Sequence, residues 1–266
     1  MNRRGFALIA VLWVVTALSS VVGLGLVAVR LNQRAWQNRI VLTRGRWAAE
    51  ACIAIADKRI RDGRFSDTST VDLGQSVRCE WTAHDPTSRL NLNTASMVQI
   101  GRLLQSIGFH ADSAERLARA VRQLRRAGEI EDIRAIALLP GFDRRVLPYV
   151  TVDGPGVVNT ATASSVVLEC LPGMTQEALG LILDRQRSSH PFTSLDGLIE
   201  ELSPASRDAF AQHYRELAGI LSFNTTQLVT RFSGWLAQYG PYPRFEIELF
   251  VARSPDGLVV LRRRMR

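Results

Sequence analysis

The chain has 266 residues, 46% hydrophobic and 22% charged, a globular balance that excludes a disordered, collagen-like or disulfide-packed miniature protein and accommodates one or two domains. Its formal charge is +8, from 33 Lys and Arg against 25 Asp and Glu. Lys58 is the one lysine, and so lopsided a ratio points to coding bias rather than to a phosphate-binding surface.

The first five residues, 1–5, form a short leader carrying Arg3 and Arg4. From Phe6 to Val29 no residue is charged. As a helix those 24 residues measure about 36 Å, enough to cross a hydrocarbon core of roughly 30 Å, so 6–29 reads as a transmembrane segment. Arg30, Arg34, Arg39, Arg44 and Arg46 follow it, so a cation count alone does not set its orientation. Val15-Thr16-Ala17 makes a poor secretory cleavage site.

The string RRG-FALIAVLWVV resembles the class III signal of type IV pilins and pseudopilins. That resemblance implies cutting by a prepilin peptidase between Gly5 and Phe6, with Phe6 becoming the N-methylated first residue. Most of that family carries a glutamate at the fifth mature position, where this chain has Ala10. A carboxylate in hydrocarbon needs a partner, in pilins the terminal amine of a neighbour. A chain without it is similar to a subunit at a filament tip.

Beyond the span, Leu31, Ala35, Trp36, Ile40, Trp47, Ala48, Ala51, Ile55 and Ile60 recur near a 3.6 period. Residues 30–62 are therefore the amphipathic half of one long helix, which Asp62-Gly63 ends. Within it lies Cys52; with Cys79 and Cys170 it makes three cysteines, none in a CxxC pattern or near a histidine, so zinc is not expected. Cys52 and Cys79 could pair in an oxidising compartment, but buried free thiols are the favoured reading.

Ser76 to His84 alternates as a strand. Asn91-Leu92-Asn93-Thr94-Ala95-Ser96 then recurs loosely as Val158-Asn159-Thr160-Ala161-Thr162-Ala163, with Asn93 set against Asn159, Gly108 following 15 residues after the first and Gly173 14 after the second. Helices are expected over Ala114 to Leu124 and Ala178 to Ile182, each preceded by a cap and a glycine turn. The pattern is a duplicated helix-hairpin-helix unit with turns at Gly108, Gly141 and Gly173, filling 91–218.

Such turns can hold a phosphate on backbone amides. Here Thr175 stands in place of a second glycine, and Glu177, Asp112, Glu115 and Asp143 put carboxylates where the anion would lie. DNA is therefore disfavoured as a partner. Gln227 to Tyr239, Arg244 to Arg253 and Leu258 to Leu261 alternate, joined by Gly240-Pro241-Tyr242-Pro243 and Ser254-Pro255-Asp256-Gly257. The arginine run 262–264 reads as a solvated face, or one touching lipid or a partner.

The whole is an α+β fold: a pilin-like N-terminal helix packed on an antiparallel sheet from 63–90 and 219–266, with the helical domain inserted between strands. That order, with SRLNLNTAS, LPYVTV and PFTSLDGLIEEL, resembles the minor pseudopilin K family of type II secretion. The resemblance implies a single-pass inner-membrane protein with its bulk in the periplasm. It would initiate or cap a pseudopilus that supports protein export. Partners would be pseudopilins I and J, the prepilin peptidase, membrane lipid and other secretion components.

No cofactor is implied except calcium, and the acidic Trp-Arg-Asp segment common in that family is missing, so no ligand residue carries over. No nucleophile elbow, P-loop, HExxH or dinucleotide fingerprint occurs, so a non-enzymatic structural role is expected. The competing reading is a membrane-anchored helix-hairpin-helix DNA receptor of competence type. It accounts for the anchor, the repeats and the charge, but not for the leader or the closing strands.

Overall fold

The computed structural model describes residues 3–237, 245–254 and 257–265, with side chains from Val11 onward except that of Arg253. The Gly240 to Pro243 link and residues 255–256 of the second turn lie outside these. Helix α1 (Arg3–Arg61) is unbroken. All of Val11 to Ile40 is exposed, so the helix stands clear of the rest over at least that stretch, about 45 Å. It is long and apolar enough to cross a membrane. It ends at a Schellman turn: Arg64 N–H donates to Arg59 O at 2.8 Å and Gly63 N–H to Ile60 O at 3.0 Å, with Gly63 at φ +67°.

Two strands follow, β1 (Thr68–Gly74) and β2 (Val77–His84). The sequence gives no sign of β1, a polar edge strand, because its hairpin places Gln75 and Ser76 rather than Asn-Gly at positive φ (+50° and +62°). The chain then leaves the sheet. Two-residue β3 (Leu90–Asn91) leads into α2 (Met97–Ser106), α3 (Ala111–Ala127), 3₁₀ turns at Ile133–Leu138 and Arg144–Tyr149, and β4 (Val150–Thr151), which pairs in parallel with β3. A second copy runs through β5 (Val158–Asn159), α4 (Ser165–Glu169), α5 (Gln176–Arg187), α6 (Leu195–Glu201), α7 (Pro204–Ile220) and β6 (Leu221–Ser222), which pairs in parallel with β5.

Both segments thus begin in a short strand and a capped helix and close on a parallel two-residue strand pair, in a register that differs from the one read in the sequence. Asn91, not Asn93, is the counterpart of Asn159. Asn91 Oδ1 accepts from Asn93 N–H and Asn159 Oδ1 from Ala161 N–H, both at 2.9 Å. Asn91 O accepts from Ala95 N–H and Asn159 O from Ala163 N–H, again both at 2.9 Å. Ser96 and Ser164 cap the next helices. The shared Asn-Thr-Ala string misleads by two residues because the asparagine that makes the turn is followed by different residues in the two copies. One apolar core serves both, with Leu103, Leu104, Val121 and Ile136 from the first copy packed with Leu168, Ile182, Leu198 and Phe210 from the second.

The chain returns in β7 (Gln227–Leu236), β8 (Phe245–Ser254) and β9 (Gly257–Met265). The sheet order is β1-β2-β7-β8-β9, antiparallel throughout. Helix α1 lies on one face, where Ala48, Ala49, Cys52 and Ala56 meet Trp81, Phe232, Ile247 and Leu249 in a second core. Small residues on α1 let the backbones come close at Gly45 and Gly234. A Cβ on Gly234 would run into Gly45 O and lie 2.6 Å from Ala49 N.

A disulfide joins Cys52 to Cys79, tying α1 to β2. This corrects the free-thiol expectation: Cys79 faces the helix at the register where Gly234 lets α1 descend. Closing a loop with a sequence separation of 27 removes about 3–4 kcal/mol of unfolded-state entropy. Cys170 is free and buried, and burial pushes its thiol up to about 12.

Two outcomes follow. Thiol titration of unfolded, unreduced chain should detect Cys170 alone, and all three cysteines after reduction. Gly234→Ala should cost roughly 1–3 kcal/mol by overpacking, read as a lower Tm in detergent, whereas Gly101→Ala, where a Cβ meets nothing within 4 Å, should not.

Candidate functional site

Gly5, Phe6 and Ala10 fall in the first turns of α1; their side chains lie outside the described residues. Farther along, α1 offers two opposed faces. One packs on the sheet. Trp36 and Trp47, 65% and 70% exposed, lie with Ile40 on the other, within about 40° of one another around the axis at 100° per residue. That apolar stripe continues the line of the exposed span and has no partner among the described residues.

The turn glycines Gly108, Gly141 and Gly173 all sit at positive φ, +95°, +79° and +68°, so each needs glycine. They are not equally open. A Cβ on Gly173 would meet the His213 side chain at 2.8 Å, so α7 covers that turn. Glu177 accepts from Ser203 N–H at 2.8 Å, and hydrogen bonds from the Ser203 and Ser206 side chains hold its carboxyl below the usual carboxylate range. The acid that stood where a phosphate would bind is used to fix the start of α7. The turn best matched to a phosphate-binding hairpin is thus closed, which disfavours the DNA reading.

The residues that sequence reasoning missed lie where the insertion meets the sheet. Asp85 lies just after β2. Its Oδ1 accepts from Thr87 N–H at 2.8 Å, while Oδ2 accepts from Asn159 Nδ2 at 2.8 Å, Thr162 Oγ1 at 2.9 Å and Thr225 Oγ1 at 2.8 Å. Burial would raise this carboxyl, but those bonds from Thr87, Asn159 and Thr225 outweigh it and hold it below its ordinary range.

Asp153 is its counterpart in the second copy, by the shift that relates the asparagines (153−85 and 159−91 are both 68). The bonding is reciprocal. Asn159 of the second copy reaches Asp85 at the head of the first. Asn91 of the first reaches the head of the second, donating to Asp153 O at 3.2 Å and Gly154 O at 2.9 Å.

Asp153 also receives the C-terminal strand. Arg231, Glu248 and Arg264 form a row across β7, β8 and β9 on the face opposite α1, with Arg231 to Glu248 at 3.5 Å and Arg264 to Glu248 at 3.2 Å. Arg264 also pairs with Asp153 at 3.4 Å and Arg262 contacts its other oxygen. Arg263, one residue out of phase, points to the opposite face and pairs with Glu50 of α1. The 262–264 run is therefore no solvated face. Strand alternation sends two arginines to the insertion and one to the helix.

His84 sits at the edge of this junction. Burial, and then Arg89 and Arg231, lower its pKa to about 4 against the opposing pull of Glu248 and Asp85. Among the described residues no three His, Cys, Asp or Glu side chains are placed to hold a metal, and the buried acids Asp153 and Glu248 are taken by arginines.

A long apolar helix packed by its second half on an antiparallel sheet defines a pilin-like α+β fold of the pseudopilin kind. Neither a family model nor a curated protein matches the sequence. Among solved structures, a chain of the GspK-GspI-GspJ complex from the enterotoxigenic Escherichia coli type 2 secretion system is similar at a TM-score of 0.65 and 16% identity. The similarity covers 88% of this chain and 99% of that one, and so includes sheet and insertion together.

Replacing Asp85 with Ala should cost about 2–4 kcal/mol, from the lost bonds and the donors left buried. The junction should also loosen in acid. Asp85, with its lowered folded pKa, contributes fully above the ordinary carboxylate range and loses that contribution as pH falls below it. His84 contributes fully above its unfolded value of 6.5 and loses that as pH falls towards about 4. Amide protection factors at residues 158–163, that is, exchange rates relative to the intrinsic rate at each pH, should therefore fall below pH 6.5, and His84→Gln should remove the upper part of that response.

Proposed function

We propose that the chain is a minor pseudopilin of a type II secretion system, placed at the pseudopilus tip, where it initiates or caps assembly and supports protein export across the outer membrane. The observation that carries this reading is α1. One continuous helix leaves an apolar half wholly uncovered and locks its other half to a sheet through Gly45, Gly234 and the Cys52–Cys79 disulfide.

In this reading α1 anchors the chain in the inner membrane, with the globular part in the periplasm. The disulfide supports that side of the membrane, since such bonds persist in oxidising compartments. A prepilin peptidase cuts between Gly5 and Phe6 and methylates Phe6. The stripe of Trp36, Ile40 and Trp47 packs against the corresponding helices of two other minor pseudopilins, I and J. Ala10 offers no carboxylate to the amine of a subunit above, and the insertion covers that end, so growth proceeds below. The role is mechanical and needs neither catalysis nor a cofactor.

Mass spectrometry of the N-terminal peptide from host membranes tests the processing. A chain starting at N-methylated Phe6 is expected; an intact Met1, or a start near Leu18, would remove the mechanism. Trp36→Ala/Trp47→Ala should weaken co-purification with the partner pseudopilins at least about tenfold, as loss of exposed aromatic anchors does, while leaving the Tm within about 2 °C of wild type. Retained co-purification would show that the helices do not meet along this stripe.

A further inference from the structure

The two copies of the insertion share a backbone plan but not a charge. Residues 90–152 carry nine arginines against six acids, +3, and residues 158–222 carry four against eight, −4. The excess in the first copy gathers on α3, whose outward face carries Asp112 and Glu115 in its first turns and Arg116, Arg119, Arg122 and Arg126 after them. Glu115 pairs with Arg119 at 3.5 Å. Beyond that pair, Arg122, Arg125 and Arg126 line a groove of about 500 Å³ against the loop that opens α2, and no acid lines it.

Among the described residues none of these three arginines has a carboxylate within salt-bridge distance. Arg125 is held in place, its Nη1 donating to Ala95 O at 2.6 Å, and Arg122 rests on Met97 Sδ at 3.3 Å. The helix amides are not the source of the charge, because Ser96 and Gln99 already close a capping box there. On the other side of Met97 lies a second groove of about 400 Å³, floored by Gly101 and Ala118 and edged by Val98, which is 61% exposed, with Asp112 and Glu115 along its far side.

We propose that these adjoining grooves dock a short peptide segment of a partner protein in which acidic residues adjoin an apolar one, the acids lying on the side of Arg122 and Arg126 and away from Asp112 and Glu115. Carboxylates meet the fork of Arg122 and Arg126, which suits paired oxygen acceptors, and the apolar side chain covers Met97 and Val98. A small oxyanion would leave that apolar shelf bare. A nucleic acid tracking both copies would meet the acids of the second, and its counterpart turn is closed by His213.

The test uses the full-length chain in detergent micelles and a fluorescein-labelled peptide of three Glu-Leu-Asp repeats, followed by anisotropy. Arg122→Ala/Arg126→Ala should weaken binding at least about tenfold. Arg116→Ala/Arg119→Ala removes the same charge outside the groove and should change it less than about threefold, with a Gln-Leu-Asn peptide binding at least about tenfold more weakly than the acidic one. Circular dichroism checks that both variants keep their helix content, as four exposed side chains should allow. Equal weakening by the two double variants would reduce the effect to diffuse charge and overturn the proposal. So would equal binding of the neutral peptide, displacement by millimolar inorganic phosphate, or tighter Arg122-dependent binding of a twenty-base-pair duplex.

Discussion

The globular part of the molecule hangs on one close approach of backbones, α1 against β7 at Gly45 and Gly234. A helix and a sheet normally stand apart by the thickness of their side chains, and here glycine on both sides removes that layer. Alanines above and below continue the narrow face, and the descent brings Cys52 within bonding distance of Cys79. A helix held this firmly at one end can carry load along its length.

The insertion is attached by a different principle. Its apolar core and that of the sheet are separate clusters, so little hydrophobic burial joins them. The joints are polar: Asp85 just after β2, and Asp153 under Arg262 and Arg264. Ion pairs taken out of water add little net stability, but they are directional. Two aspartates at equivalent places in the repeat, each bonded to the other copy's asparagine, set the orientation of the insertion and leave its apolar core free to serve both copies. The same arginine run reaches Glu50 on α1, so helix, sheet and insertion are braced through three consecutive residues of β9.

Much of the architecture was legible in the sequence. The long helix and its stop at Asp62-Gly63 were, because an uncharged run and a helix-ending glycine are local signals. So were the later strands and the presence of a repeat. What was not legible depended on partners distant in sequence. β1 is a polar edge strand closed by a turn without the usual residues. The disulfide follows from a helix-to-sheet distance that no cysteine spacing encodes. The repeat register was off by two because the Asn-Thr-Ala string is similar in letters while the turn-forming asparagine is Asn91. Arg262 to Arg264 looked like a solvated cluster because Asp153 and Glu50, their acids, lie far away along the chain.

The excess of arginine is then open to a physical division that a net charge of +8 conceals. Where a carboxylate stands opposite, as at Glu50, Asp153, Glu248 and Glu201, the guanidinium is part of the frame. Where none does among the described residues, as at Arg122 and Arg126, the charge is available to something outside the chain. The duplication makes the contrast informative. At the end of α5, Gln186 caps Ala163 O at 2.9 Å as Arg125 caps Ala95 O. A neutral side chain therefore suffices for that structural task, and the positive charge at the first copy's groove is surplus to the fold. Charge not required for folding is where an interaction surface is best sought, and within the insertion it gathers on α3 of the first copy.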